Sequence, residues 1–192
     1  MATDQTTSLR LSLTQSDATN ILAQIPTSTS GTCTFTLETF SNSGLTAKIG
    51  SSETMSLTIN VGSGLVPTIG SSGFTMSEGN SSVYNALSNT DYFLTNVSSV
   101  KFNSSATAPS GTSIESYSVS FNNKTLTGAE TIFSVPSTAG TNYSATLTVK
   151  DKRGRTATKS ISNIKVINYT QPSLSSVSIQ RDSTTTTTVV CK

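Results

Sequence analysis

The chain has 192 residues, of which 33% are hydrophobic, 11% are charged and none is histidine, and its formal net charge is +2. A charge this close to neutral offers no basic face for nucleic acid. The lack of histidine removes the commonest general base and metal ligand, and with it Ser-His-Asp, Cys-His and histidine-zinc chemistry. Ser and Thr make up roughly 37% of the residues while strong helix formers are sparse, a bias that suits the solvent face of strands in an all-β protein.

Taken in order, Ser8 to Thr14 alternates at Leu9, Leu11 and Leu13 and predicts a strand. This opening has neither the basic start nor the apolar core of a secretory signal, and no later run is long enough to span a bilayer. The expectation is therefore a product made in the cytoplasm with no membrane partner. Asn20 to Pro26 reads as one helical turn or a crossover, because Pro26 disfavours helix at Ile25. Cys33, Phe35, Leu37 and Thr39 predict a strand, with Cys33 facing inward as a small hydrophobe and unpaired with the distant Cys191. Met55, Leu57, Ile59 and Val61 predict the next strand, closed by Gly62-Ser63-Gly64.

After Pro67 the predicted strands are Thr68 to Ser77, Phe93 to Phe102, Ser113 to Asn122, Thr131 to Val135, and a hairpin spanning Thr141 to Val166. The hairpin has the plainest signal. Tyr143, Ala145, Leu147 and Val149 alternate with polar residues, and Asp151-Lys152-Arg153-Gly154-Arg155 then turns the chain. On the return arm the apolar positions change parity between Ile161 and Ile164, which predicts a bulge near Ser162-Asn163. Strand number and turn spacing fit an immunoglobulin-like β-sandwich without tryptophan. Similar punctuation at Gly31 to Leu37 and Gly140 to Leu147, and at Pro67 and Pro172, suggests repeats. The expected organisation is a partial immunoglobulin-like module over 1–66, a complete one over 67–170 and the first strands of a truncated third over 171–192.

Candidate chemistry is thin. The acidic residues are scattered, with no loop that gathers calcium ligands, and neither a metal site nor a cofactor is expected. Ser98-x-x-Lys101 and Ser162-x-x-Lys165 match a penicillin-interacting spacing but fall in strand-like segments. Glu115 and Glu130 could form a glycosidase pair only if folding brought them together. The one basic concentration, Lys150, Lys152, Arg153, Arg155 and Lys159, reads either as a solvated, edge-protecting turn or as a contact for phosphates of a wall polymer. Tyr84 and Tyr92, in a predicted loop, read as plugs at the end of the sandwich or as stacking platforms for sugars.

Ala23-Gln24-Ile25-Pro26, Ser30-Gly31-Thr32, Lys48-Ile49-Gly50, Val66-Pro67-Thr68-Ile69 and the run from Asp151 to Lys159, in this order, resemble siphovirus minor structural proteins. These are tail-associated proteins of phages of Gram-positive bacteria, with repeated Ser/Thr-rich immunoglobulin-like modules. The likeness covers most of residues 20 to 190 and brings no catalytic residue set. It implies a non-enzymatic virion module, assembled in the host cytoplasm, that extends a tail and assists adhesion to the host wall. Its implied partners are other tail proteins, further copies of the chain, and wall polysaccharide or teichoic acid. A stalk or adhesin repeat of a bacterial surface protein and a carbohydrate-binding module of a larger hydrolase are the competing expectations.

Overall fold

The computed structural model describes residues 12–87 and 92–173. Its elements are mostly strands: α1 (Gln15–Ala23), β1 (Ser30–Phe40), β2 (Lys48–Asn60), β3 (Phe74–Glu78), α2 (Ser81–Leu87), β4 (Phe93–Leu94), β5 (Ser99–Ser104), β6 (Ile114–Phe121), β7 (Lys124–Thr127), β8 (Glu130–Ser134), β9 (Gly140–Asp151) and β10 (Thr156–Ile167). β1 and β2 form a separate two-stranded ribbon. The remaining strands make two sheets, ordered β3-β5-β8 and β4-β10-β9-β6-β7. All neighbours are antiparallel except β4, which runs parallel to β10. With β9 and β10 central in one sheet, β3, β5 and β8 opposite, and a short parallel strand on the β10 edge, this is the strand order of an immunoglobulin-like sandwich.

The core follows directly from strand alternation. Phe74, Val100, Phe102 and Phe133 point inward from one sheet, and Val119, Phe121, Ala145, Leu147, Val149 and Ile164 from the other. Phe102 is fully enclosed and lies at the centre of an aromatic cluster. Its ring centroid is 5.4 Å from that of Phe74, 5.6 Å from Phe121 and 5.7 Å from Phe133, the last two edge to face. Such offset and edge-on contacts favour the aromatic quadrupoles beyond the area buried.

The expected hairpin is present as β9 and β10, in register from Ala157 opposite Val149 to Ile161 opposite Ala145. Between Ile161 and Ile164 the register shifts, and Asn163 takes φ +60°, so the parity change places Ile161 and Ile164 on the inner side despite their odd spacing.

Several elements differ from the expectation. The predicted strand from Ser8 to Thr14 falls largely outside the described residues, and Thr14 caps a helix. The Thr14 hydroxyl accepts from the Asp17 amide at 3.2 Å while the Asp17 carboxylate accepts from the Thr14 amide at 2.9 Å, a capping box that satisfies two orphan donors of α1. Residues 12–66 thus contribute a nine-residue helix and a ribbon, not sandwich strands. The Phe93 to Phe102 run is broken, because Asn96 adopts φ +66° and the Ser98 hydroxyl accepts from the Leu94 amide at 2.8 Å, turning the chain from one sheet to the other. The Thr68 to Ser77 run is strand only from Phe74, with Thr68 making an isolated bridge to Thr107. The supposed loop holding Tyr84 is helix α2, whose start is held by Asn80 accepting from the Ser82 amide at 3.0 Å. The remaining addition is β7. Asn122 and Asn123 both take positive φ, as a two-residue hairpin turn requires, and β7 pairs with the edge of β6 while staying wholly exposed. Most of the segment expected to begin a third module, residues 174–192 with Cys191, lies outside the described residues.

At the ribbon's tip, the Lys48 ammonium donates to Glu38 at 2.8 Å and also meets the Ser52 hydroxyl, which donates to the same carboxylate oxygen at 2.9 Å. The Lys48 hydrogen bond first, and the Ser52 hydroxyl second, hold the Glu38 carboxyl below the ordinary glutamate range. A carboxylate whose folded value is depressed stabilises the fold fully above its unfolded value and ceases to do so as pH falls through the folded one. Carbon-detected NMR titration should therefore show Glu38 ionising below the ordinary glutamate range, with the Lys48 and Ser52 signals moving together with Glu38. In Glu38→Gln that acid transition at Lys48 and Ser52 should disappear.

Candidate functional site

The hairpin turn at 151–155 is built around a buried aspartate. Asp151 ends β9 on an inward position, and one of its carboxylate oxygens accepts from the backbone amides of Arg153 at 3.0 Å and Arg155 at 2.9 Å. Gly154 supplies the φ of +82° that closes the turn, with its amide donating to the Asp151 carbonyl at 2.9 Å. This geometry pre-sets the directions of the two arginines that follow.

Arg153 is only 6% exposed. Its guanidinium donates from Nε to the Ile25 carbonyl, from Nη1 to the Ser110 carbonyl and from Nη2 to the Leu22 carbonyl, each at 2.8 Å. Leu22 and Ile25 flank the C-terminal end of α1, which carries the negative end of the helix dipole, and the Leu22 carbonyl also accepts from the Ile25 amide at 3.1 Å. No basic residue stands in the last turn of α1 itself. A cation from 128 residues away in the sequence supplies the cap instead. The loop before β6 lies equally close: Thr112 donates its hydroxyl to the Pro26 carbonyl at 2.7 Å, and a Cβ at Gly111, whose φ is +80°, would collide with the Leu22 carbonyl.

Arg155 performs the same task one step along. It donates to the carbonyls of Val61 at 2.8 Å and Leu65 at 3.1 Å, and also to that of Gly62, so it holds the chain leaving β2. The Lys159 ammonium donates to the carbonyls of Gly70 and Ser71, each at 2.6 Å. Together, Arg153, Arg155 and Lys159 form a clasp that binds α1 and the connector 61–71 to the start of β10. Each contact is a charge-assisted hydrogen bond to a backbone carbonyl, and the two arginines meet theirs with a rigid planar fork.

The reading of this turn as solvated, or as a phosphate contact, is thus corrected for three of its members: Arg153, Arg155 and Lys159 are committed to carbonyls within the chain. Lys150 pairs with Glu115 at 2.8 Å on the outer face of β9 and β6, and Lys152 is exposed. Tyr84 is 49% exposed on α2, whereas Tyr92 is half-buried beside β4. The two tyrosines do not join the basic turn. Phe93, next to Tyr92, pairs with Val166, ten residues along β10 from the turn or roughly 30 Å at strand rise.

The weaker chemical candidates dissolve into structure. Ser98 is a buried turn residue, and Lys101 is ion-paired with Glu130 at 2.6 Å. Glu115 and Glu130 stand in different sheets, each with its own lysine, and do not form a pair. Cys33 is half-buried and lines an apolar groove of about 480 Å³ between α1 and the ribbon. At the far end of the sandwich from the clasp, Asn122, Asn123, Lys124 and Asn142 rim a shallow polar trough of about 580 Å³, with Tyr143 at its floor. The Tyr143 hydroxyl donates to the Thr138 carbonyl at 2.9 Å.

No curated protein matches the chain. Among solved structures, it is similar over 53% of its length to the PKD1 domain of the metalloprotease PrtV from Vibrio cholerae, at 26% identity, covering 96% of that chain with a TM-score of 0.35. It is similar over the same share to the PKD1 domain of Epp from Vibrio anguillarum, at 21% identity, 96% coverage of that chain and a TM-score of 0.35. The fold assignment rests on the sheet order given above. The matching family spans residues 1–192, and the chain belongs to the family described as "Siphovirus protein of unknown function (DUF859)".

Proposed function

We propose that this siphovirus protein is a non-enzymatic building module of the virion tail, which spaces or joins tail parts and helps the particle hold the wall of a Gram-positive host. The observation that carries this reading is the clasp. Among the described residues both arginines are spent on fastening one segment of the chain to the next, with Arg153 buried among three carbonyls, which suits a spacer. The sandwich from Phe74 to Ile167 has its own core, as a repeatable spacer needs. Its partners in this reading are other tail proteins and further copies of the chain.

Adhesion draws its support from the polar trough, whose amides and ammonium suit sugar hydroxyls or the phosphates of a teichoic acid. The test is direct. Peptides of this chain should be found by mass spectrometry in gradient-purified virions, and antibody gold should label the tail. A chain abundant in infected cells but missing from purified particles would overturn the structural role. Failure of the purified protein to sediment with host walls would remove the adhesive part alone.

A further inference from the structure

The ribbon formed by β1 and β2 has two chemically opposite faces. Its register sets Cys33 opposite Leu57, Phe35 opposite Met55 and Gly31 opposite Ile59 on one side. On the other side Thr32 faces Thr58, Thr34 faces Ser56 and Thr36 faces Thr54. Such strict alternation is what a strand shows when one face is to be buried. Yet no residue of either strand is buried: Leu37 is 61% exposed, Met55 67%, Ile49 54% and Leu57 50%. An isolated two-stranded ribbon is marginal in water, so this face calls for a cover.

We propose that the cover is the same face of a second copy of this chain. First, the face is divided into a hollow and a projection. Near its base, Leu13 and the α1 residues Ile21 and Leu22 line an apolar groove together with Cys33, Phe35 and Leu57. Towards its tip, Leu37 and Met55 stand free. Two ribbons laid antiparallel about a two-fold axis seat the projection of each in the hollow of the other, as an isologous contact requires. Second, the face makes no demand on the charge of its partner. Glu53, opposite Leu37, is its lone acid, and the tip charges Glu38 and Lys48 cancel in their ion pair. Third, the face is of a fitting size. Leu37, Ile49, Met55 and Leu57 are each at least half exposed, so the face is an apolar patch of the several-hundred-Å² class that marks interaction sites on monomers, and two such faces together approach the area at which stable interfaces begin.

This deepens the proposed building role and rests on it for its setting, but it stands or falls by a separate measurement. In sedimentation equilibrium the full chain should dimerise with a dissociation constant of about 10 µM or tighter, as an interface of this size allows. Leu37→Lys with Met55→Lys should weaken dimerisation at least about 10-fold, with far-UV circular dichroism and melting of the sandwich unchanged. Thr34→Lys with Thr36→Lys, on the hydroxyl face, should leave it intact. A native chain that stays monomeric at about 100 µM overturns the proposal. So does a dimer that survives the apolar-face pair, or one lost equally with the hydroxyl-face pair. None of these outcomes alters what virion proteomics would find.

Discussion

Phe102→Ala is expected to destabilise the sandwich by about 4 to 5 kcal/mol, more than any other single truncation in the core. The side chain is fully enclosed and touches Phe74, Phe121 and Phe133, which come from both sheets, so its loss opens a cavity that neither sheet can close alone. For a domain of this size a loss of that order lowers the melting temperature by roughly 20 to 30 °C. Urea or thermal unfolding followed by near-UV signals measures it. Ile132→Ala provides the contrast: it is 51% exposed although its neighbour Phe133 is buried, and its cost should stay below about 1 kcal/mol. A similar cost at both positions would mean that β8 presents its other face to the core.

Arg153→Ala should cost about 3 kcal/mol at the junction while leaving the sandwich folded, because three carbonyls lose charge-assisted donors at once and two of them flank the negative end of α1. Hydrogen exchange distinguishes this local loss from a global one. Amides of α1 and of Gln24 and Ile25 should lose protection, whereas those of Ala145 to Val149 keep theirs. Arg153→Lys should rescue little, since a single ammonium cannot reach three acceptors that a planar fork meets together. Uniform loss of protection across β9 would show that the turn supports the sandwich rather than the junction.

Where apolar residues alternate, the sequence and the structure agree. Tyr143 to Val149 reads as a strand from its period, and the parity change before Ile164 marks the bulge that Asn163 makes. Elements that depend on single polar atoms were harder to read. Helix α1 has too few apolar residues for a clear helical stripe, and its start is announced only by Thr14 and Asp17 three residues apart. β7 contains one apolar residue, Leu126, and owes its existence to the Asn122-Asn123 turn that folds it onto an edge. The role of Arg153 lay further out of reach. A charged turn reads as solvated because nothing local reveals that the carbonyls of Leu22 and Ile25 will be laid across it. The acid at the turn's start, Asp151, organises this loop from a buried position, which becomes evident once β9 is placed.

The position of β10 has a mechanical consequence. At its start, Arg155 and Lys159 grip the connector that comes from the ribbon; near its end, β4 lies alongside it in parallel, and the Tyr169 amide donates to the Thr95 hydroxyl at 2.9 Å. Tension applied between the two sides of the molecule therefore passes from the connector through these side chains into one strand and out beyond Ile167. Strands β5 to β9 lie outside that path. The aromatic rings of the core sit on β3, β5, β6 and β8 and so stand beside that path, with the clasp ahead of them.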